Sequence, residues 1–185
     1  MIDWDKRYRE GFYDGLSDPH ELLVRFFPSI PGRLVIDIAM GNGRDAVFLA
    51  ERGFKVIGLE RSWEAIRRAR VLSLERGCPI LFVFGDAEQL PFREGMADCV
   101  VVFYFLSRKI LQHLPKMLRK GGLLMYETYL KRQNLLGEKR DPEHLLDDGE
   151  LFSVFRHMET LFYEEIITRK DGKKKAIARF VGRRL

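Results

Sequence analysis

Short apolar runs alternate along most of the chain with segments in which apolar residues recur every three or four positions. The second pattern predicts helices at residues 44–52, 62–77 and 107–119, the last with a break at Pro115, because proline has no N–H to donate within a helix. A turn is expected at residues 120–122. Strands that alternate with helices form parallel sheets covered on both faces, so the pattern predicts an α/β fold. The predicted strands are residues 33–38, 54–59, 80–84, 97–105 and 123–129.

The C-terminal third of the chain departs from this alternation. Residues 130–149 are rich in charged side chains and contain Asn, Gly and Pro. An irregular segment of this length is usually functional or mobile, which makes it a candidate lid. A short helix is expected over residues 148–155. Two apolar segments, 162–170 and 173–181, flank Asp171-Gly172, a dipeptide typical of tight β-hairpins. The sheet should therefore include at least one antiparallel strand.

The composition indicates one soluble globular domain. The chain has 185 residues, of which 46% are hydrophobic and 32% charged. We expect a single domain over residues 1–185, with residues 1–30 as an N-terminal helical cap. The apolar runs are far shorter than the roughly 20 residues of a membrane span, and the first seven residues lack the apolar core of a signal peptide. We therefore expect a cytoplasmic protein with no membrane partner. Cys78 and Cys99 form no C-x-x-C motif, so neither a metal site nor a disulfide scaffold is expected.

The net charge of +5 is concentrated at the C-terminal end. Residues 166–185 contain eight Lys or Arg and one Asp, a charge of +7, so the rest of the chain sums to −2. A basic segment of this kind can dock nucleic acid or an anionic membrane. The favoured interpretation is a solvated hairpin, and nucleic acid is kept as the less favoured partner.

A glycine-containing loop follows the first predicted strand, within residues 37–46. In parallel sheets ligands bind beyond the carboxyl ends of the strands. Gly41 and Gly43 permit positive φ angles and a close approach of the backbone to a ligand, and the next helix offers free N–H groups to an anion. Residues 41–46 also read G-x-G-x-x-A, which dinucleotide-binding proteins use. A non-enzymatic domain that binds NAD or another nucleotide is therefore an alternative.

A carboxylate lies at or just after the end of each of three successive predicted strands. These carboxylates help to decide between a dinucleotide and another adenosine-containing ligand. Asp37, four residues before Gly41, would repel a pyrophosphate but attract an ammonium group. Glu60 suits the two hydroxyls of a ribose in either kind of ligand. Asp86 can accept an adenine amino hydrogen, while the Ala87 N–H can donate to a ring nitrogen. Together they favour an adenosyl ligand with a positive sulfonium and no phosphate.

Three segments carry a more specific resemblance: VIDIAMGNGRDAVFLAERGFKVIGLE, FGDAEQLPF and LRKGGLLMYETY. They resemble the ordered motifs of class I S-adenosylmethionine-dependent methyltransferases. Within that superfamily the chain is most similar to small bacterial methyltransferases of the tellurite-resistance type. The supporting residues are Gly43-Arg44-Asp45, Phe105-Leu106-Ser107-Arg108, Glu127-Thr128 and Gly149-Glu150-Leu151. Ala39, Met40 and Lys120 depart from the usual pattern, in which Gly, Cys and Pro respectively are common.

The resemblance implies a fold, a cofactor and a set of site residues. The fold would be a Rossmann-like doubly wound sheet of seven strands, mostly parallel, with an antiparallel C-terminal hairpin strand. The cofactor would be S-adenosyl-L-methionine. Its methionine end would lie against Asp37 and the loop, its ribose against Glu60, its adenine against Asp86 and Ala87, and its sulfonium near Phe103 and Tyr104. The full implied cofactor set is Asp37, Ala39, Gly41, Asn42, Gly43, Glu60, Arg61, Asp86, Ala87 and Phe103.

The methyl acceptor leaves fewer signals in the sequence. Methyl transfer needs an aligned nucleophile more than an acid, because the leaving group is a neutral thioether. Tyr104, Arg44 and Arg108 are the candidate catalytic residues, and two guanidiniums would favour an anionic acceptor. Each arginine is equally well explained as the partner of a carboxylate such as Asp45 or Glu127. No base is assigned among the histidines, which are His20, His113, His144 and His157.

A small-molecule methyl acceptor is the leading prediction, and the family resemblance suggests a thiol or a chalcogen oxyanion. RNA or protein methylation, with docking through the basic C-terminal hairpin, is the second hypothesis. The sequence does not define the oligomeric state.

Overall fold

The computed structural model describes residues 3–15, 18–137, 139–170 and 173–185. Within these ranges the chain builds one seven-stranded sheet. The strands are β1 (Leu34–Ile38), β2 (Lys55–Glu60), β3 (Ile80–Phe84), β4 (Ala97–Phe103), β5 (Leu118–Tyr129), β6 (Glu159–Lys170) and β7 (Lys173–Arg183). Their order is β3-β2-β1-β4-β5-β7-β6, parallel from β1 to β5, with β7 antiparallel to both β5 and β6. The expected α/β, Rossmann-like doubly wound sheet is confirmed.

Helices cover both faces of the sheet, as the continuous apolar strands require. The helices in the described ranges are α1 (Trp4–Arg9), α2 (Glu21–Phe26), α3 (Arg44–Ala50), α4 (Trp63–Glu75), α5 (Arg108–Leu111), α6 (Leu114–Met117) and α7 (Glu150–Val154). Helices α2, α3 and α4 pack on one face, whose buried cluster includes Leu23, Leu49 and Ala69. Helices α5, α6 and α7 pack on the other face. All seven residues of β4 are buried because this central strand is covered on both sides.

The structure differs from the sequence prediction between residues 107 and 122 and agrees with it at the C-terminal hairpin strands. The helix predicted over 107–119 is two short helices, and Pro115 lies in the first turn of the second, α6. The turn expected at residues 120–122 is wrong, because β5 already begins at Leu118. Gly121 donates its N–H to the Arg184 carbonyl (2.8 Å), and so this stretch stays paired with the end of the chain. The antiparallel hairpin strands are confirmed, but Asp171-Gly172 lies outside the described residues.

The sheet order places a crevice between two central strands. From β1 the chain continues through α3 to β2 on one side, whereas β4 leads through α5 and α6 to β5 on the other. The carboxyl ends of β1 and β4 are therefore the switch point at which such sheets bind ligands. In the part of the chain that the structure describes, no helix is long and apolar enough to cross a membrane.

Candidate active site

The loop after β1 turns back on itself through left-handed backbone. Ala39, Gly41 and Gly43 have φ angles of 56°, 62° and 81°, and Gly43 caps α3. A Cβ on Gly43 would lie 2.6 Å from the Ala69 Cβ, so only glycine fits against α4. At residue 39, where the family commonly has glycine, alanine adopts a conformation that glycine reaches without strain. The loop, with Asn42 between its two glycines, therefore keeps its shape despite the departure from the usual motif.

Asp37 projects from β1 into the base of this loop and is 2% exposed. Its Oδ2 is buried and has no hydrogen-bond partner among the described residues. Burial raises the pKa of Asp37 well above its ordinary value, and the nearby charges of Asp45 and Glu60 raise it further. Leaving a buried carboxylate oxygen unpaired costs free energy. The site therefore has one strong acceptor oxygen ready for a cationic donor.

Glu60, at the end of β2, is held by three backbone N–H groups. Its Oε2 accepts from Gly41 N at 2.9 Å, and its Oε1 accepts from Arg61 N at 2.8 Å and Ser62 N at 2.9 Å. Burial raises the pKa of Glu60, and these hydrogen bonds partly offset the effect. The carboxylate is thus tied to the loop and keeps a fixed orientation along the edge of the sheet.

The third strand-end carboxylate is more open to solvent. Asp86 follows β3, accepts the N–H of Glu88 at 2.9 Å, and lies 3.7 Å from the Arg61 guanidinium. Its neighbour Ala87 is buried. Asp37 and Glu60 therefore lie at the carboxyl ends of β1 and β2, and Asp86 comes just after β3, in the order that the sequence predicted.

Two aromatic residues end β4 on the other side of the crevice. Phe103 is buried, whereas Tyr104 is half-buried with a φ of 55°, a value that non-glycine residues rarely adopt. The Tyr104 ring lies 4.8 Å from the Tyr129 ring, and the Lys175 ammonium lies 5.1 Å from its centroid. Burial and the nearby Glu127 raise the pKa of the Tyr104 hydroxyl, so it stays protonated at neutral pH. An aromatic wall with a cation beside it faces the loop.

His20 also borders the crevice, a position that the sequence pattern did not predict. It precedes α2 and is 8% exposed, and its ring stacks on Phe103 with 4.3 Å between centroids. Asp45 Oδ1 accepts the His20 backbone N–H at 2.8 Å, and its Oδ2 lies 2.7 Å from His20 Nδ1. Arg44 Nη2 lies 2.6 Å from His20 Nε2. No local pattern links residues 25 positions apart, and an acidic residue in the first turn of a helix is common for other reasons.

Arg108 has a different partner from those that the sequence suggested. Its guanidinium binds Glu150 at 2.7 and 2.8 Å and donates to the carbonyls of Glu143 and Leu145, both at 2.9 Å. Glu127 instead accepts from Arg179 Nε at 2.7 Å. Arg44 and Tyr104 each lie beside His20, whereas Arg108 fastens the 143–150 segment to α5.

The described residues of the 130–149 segment, which are all of it except residue 138, are less irregular than the sequence pattern predicted. The segment contains two 3₁₀ turns, Lys131–Leu135 and Pro142–His144. Gln133 ties it to β7, because its Oε1 accepts the Ala176 N–H at 2.8 Å. The Arg140 guanidinium lies 4.1 Å from the centroid of the Tyr129 ring. The segment therefore reaches the aromatic wall of the crevice, while its role as a lid stays a prediction.

The N-terminal residues approach the crevice from the opposite side. Asp5 on α1 accepts the Ser62 hydroxyl at 2.6 Å and the Glu64 N–H at 3.0 Å, which fixes α1 to the start of α4. A Cβ on Gly41 would lie 2.8 Å from the Tyr8 hydroxyl, so this ring sits directly over the loop. Across the described residues, no group of three His, Cys, Asp or Glu side chains is placed to hold a metal ion.

Comparison with known proteins agrees with this geometry. Residues 35–122 match the family model of a methyltransferase domain. An uncharacterized methyltransferase of Synechocystis is 32% identical over 111 residues, 56% of this chain and 50% of that protein. A demethylmenaquinone methyltransferase of Renibacterium salmoninarum is 28% identical over 58% of this chain and 46% of its own length. The chain thus spans about half the length of these curated relatives.

Solved structures show the same fold. TehB from Haemophilus influenzae superposes with a TM-score of 0.80 at 17% identity, covering 98% of this chain and 67% of TehB. A chain from the Haloferax volcanii complex of the Trm112 methyltransferase activator with a putative methyltransferase gives 0.76 at 19% identity, covering 99% and 98%. The match over residues 35–122 agrees with the methyltransferase resemblance that the sequence motifs carry, and the solved structures, at 17% and 19% identity, show the fold.

Proposed function

We propose that this chain, whose residues 35–122 match a methyltransferase domain, transfers a methyl group from S-adenosylmethionine to a small-molecule acceptor. One observation carries the proposal. The buried Asp37 Oδ2 has no partner among the described residues and lies at the base of the glycine loop. The methionine end of S-adenosylmethionine has an ammonium group that would give this oxygen a charge-assisted hydrogen bond. The residues present therefore fit the cofactor.

Each part of the cofactor has residues suited to it. The loop residues Ala39, Gly41, Asn42 and Gly43 suit its methionine end, because the two glycines let the backbone approach a ligand closely. The other assignments are Glu60 for the ribose hydroxyls, Asp86 and Ala87 for the adenine edge, Arg61 beside the ring and Phe103 near the sulfonium. The bound cofactor supplies a methyl group on a positively charged sulfur, and the nearby carboxylates Asp37 and Glu60 favour that positive charge.

The same carboxylates argue against NAD. A dinucleotide would place its pyrophosphate at the loop, next to Asp37 and within the field of Asp45 and Glu60. Three acidic groups repel two phosphates at close range, and Arg44 offsets that repulsion only in part. A cationic ligand is therefore the better match.

The acceptor would bind at the aromatic wall formed by Tyr104 and Tyr129. Lys175 and Arg140 place positive charge against these rings, and Arg44 contacts His20, whose ring lies next to Tyr104. Positive groups stabilise a thiolate or an oxyanion and lower the cost of bringing it out of water. These contacts support a thiol or a chalcogen oxyanion as the acceptor.

The basic hairpin gives less support to an RNA or protein substrate. Arg179 is bound to Glu127, and Arg183 to Glu159 at 2.9 Å. Arg184 donates to main-chain carbonyls beside β5. Cations that neutralise the protein's own groups are less available for phosphates, which supply much of the affinity for nucleic acid.

Calorimetric titration with S-adenosylhomocysteine, with NAD as the comparator, tests this function. We expect micromolar binding of S-adenosylhomocysteine and no binding of NAD. A screen of methyl acceptors would follow, with thiols first and selenite and tellurite next. Binding of NAD alone, or of neither ligand, would overturn the proposal. Methylation of RNA with a steep loss of binding in salt would favour the docking hypothesis instead.

A further inference from the structure

His20 is a buried titratable residue that none of the proposed cofactor contacts requires. Its side chain is 9% exposed and Asp45's is 5% exposed, so water has little access to their contact. Burial alone raises the pKa of Asp45, but its interactions with His20 and Arg44 outweigh burial, so the pKa of Asp45 lies below its ordinary value. The carboxylate therefore stays ionised behind the imidazole ring.

The hydrogen bonds of His20 define which ring nitrogen carries the proton. A guanidinium has donors and no acceptor, so the contact of Arg44 Nη2 with His20 Nε2 at 2.6 Å requires a lone pair on Nε2. The proton of the neutral ring is then on Nδ1, which donates to Asp45 Oδ2 at 2.7 Å. A carboxylate behind Nδ1–H and a lone pair on Nε2 make the arrangement of a general base.

The ring also lies where an acceptor would approach. It stacks on Phe103, the last residue of β4, and its centroid is 5.2 Å from that of Tyr104. Both aromatic residues border the crevice at the switch point. Arg44, which contacts Nε2, also acts on the charge of Asp37 at the base of the loop. His20 therefore borders both the proposed cofactor position and the proposed acceptor wall.

We propose that His20 Nε2 accepts the proton of a thiol methyl acceptor, with Asp45 orienting the ring. This inference rests on the proposed function and narrows the acceptor to thiols. At pH 7 a thiol of pKa about 8.5 is only a few per cent ionised, so a base is needed to supply the thiolate. A fully ionised chalcogen oxyanion has no proton to give and would not use this histidine.

The proton and electrons balance in this step. As the S–H bond breaks, its proton goes to Nε2 and its electron pair stays on the acceptor sulfur. That sulfur then forms the new bond to the methyl carbon, and the bond from carbon to the sulfonium sulfur leaves its pair on the departing thioether. One positive charge is lost at the sulfonium and one appears on the imidazolium, where Asp45 stabilises it. The proton reaches solvent after the product leaves.

Arg44 must leave Nε2 before the acceptor can use it. Its Nε is already 3.9 Å from Asp45 Oδ2, so a small rotation keeps the guanidinium beside a carboxylate. An acceptor with a carboxylate of its own would draw the guanidinium further away. In the absence of acceptor, Arg44 therefore covers Nε2.

The test compares wild-type protein with His20→Asn and, as a matched control, His113→Asn. The amide introduced by His20→Asn can still donate to Asp45 from the place of Nδ1, but it offers no basic nitrogen. His113 is exposed and contacts its own helix region, through the Lys109 carbonyl at 3.2 Å. Three quantities are measured: affinity for S-adenosylhomocysteine, methylation of 2-mercaptoethanol between pH 6 and 10, and the His20 tautomer by ¹⁵N NMR, for which the chain has only four histidines.

We expect His20→Asn to bind S-adenosylhomocysteine within about twofold of wild type and to lose about 100-fold or more in turnover at pH 7. Its rate should rise as the pH approaches the thiol pKa and the acceptor ionises without help. The charged or titratable groups that contact His20 are Arg44 and Asp45 on α3 and Tyr104 after β4. Asp37 of β1 interacts with the charge of Asp45, and Glu21, the first residue of α2, follows His20 in the chain. NMR should show the neutral Nδ1–H tautomer in the wild-type protein.

The outcomes that overturn the inference are distinct from those that overturn the proposed function. If wild-type protein does not bind S-adenosylhomocysteine, the function itself fails. If it binds but methylates only oxyanions, or if the rates of His20→Asn and wild type stay parallel at every pH, only the role of His20 fails. An Nε2–H tautomer or a doubly protonated ring at pH 7 would also overturn it, even where the variant does not fold.

Discussion

Two buried aspartates on neighbouring strands of the sheet differ in how fully their carboxylate oxygens are hydrogen-bonded. Asp98, near the start of β4, accepts the N–H groups of Arg33 at 2.6 Å and Leu34 at 2.8 Å and pairs with the Arg119 guanidinium. Asp37, near the end of β1, leaves Oδ2 without a partner among the described residues. They are 9% and 2% exposed, so the more deeply buried carboxylate is the less satisfied one.

From this contrast we infer that the amino end of the sheet is built for stability and the carboxyl end for a ligand. At the amino end Asp98 is packed so closely that a Cβ on Gly32 would collide with its carboxylate. At the carboxyl end, we propose that a ligand supplies the donor that the unpaired Asp37 oxygen lacks, which would offset the cost of burying it. The two aspartates should therefore respond in opposite ways to the same chemical change.

Asp37→Asn should have the largest effect on ligand binding. Loss of the charge that faces the ligand ammonium should weaken S-adenosylhomocysteine binding by about 100-fold or more, in the range of about 2–5 kcal/mol for a broken buried charge pair. The same variant should be more stable than wild type without ligand at pH 7, by about 1–3 kcal/mol, because an unpaired buried carboxylate is removed. Calorimetry and urea unfolding measure the two effects.

The sign of the stability change depends on pH in a defined way. The folded-state pKa of Asp37 lies above its ordinary value of 3.8, so this carboxyl favours the fold while protonated and loses that contribution as the pH rises through the folded pKa. The extra free energy of unfolding of Asp37→Asn over wild type should therefore vanish near and below pH 3.8. A variant that is less stable at pH 7 and keeps its affinity would contradict the idea that Asp37 is reserved for a ligand.

Asp98→Asn should show the reverse pattern with a somewhat smaller effect. The amide cannot pair with Arg119, and one of its hydrogens would face the N–H groups of Arg33 and Leu34. We expect a loss of about 2 kcal/mol in the free energy of unfolding and S-adenosylhomocysteine affinity within about twofold of wild type. If affinity falls as far as in Asp37→Asn, the two ends of the sheet are not independent and the comparison fails.

Much of the fold could be predicted because its signals are local. The continuous apolar runs of β1 and β4 are what a strand covered on both faces requires, and Ser62 before α4 is a helix cap that its own hydroxyl confirms by accepting from Ala65 N at 3.1 Å. The extension of β5 back to Leu118 was missed. It depends on pairing with the last residues of the chain, which the local pattern of a Gly-Gly turn does not include.

The same contrast between local and long-range signals decides which site residues could be predicted. Asp37, Glu60 and Asp86 could be placed because the ends of consecutive parallel strands lie side by side. The contact of His20 with Asp45 could not, because the two residues are distant in sequence and each has an ordinary local explanation. The predicted partner of Arg108 was wrong for a related reason. Its actual partner, Glu150, lies 42 residues away, beyond a segment for which the pattern predicted no regular structure.

The smallest expected effect is the pH dependence of cofactor affinity in the wild-type protein. A protonated Asp37 cannot attract an ammonium group, so affinity for S-adenosylhomocysteine should fall as the pH drops through the raised pKa of this carboxyl. One proton is involved, so the limit is about tenfold per pH unit. Calorimetry at a series of pH values should show this slope in wild type and in Asp98→Asn but not in Asp37→Asn. A slope that persists in Asp37→Asn would move the titrating group to Glu60, whose pKa burial also raises, and would assign the cation-binding role to the end of β2 instead of β1.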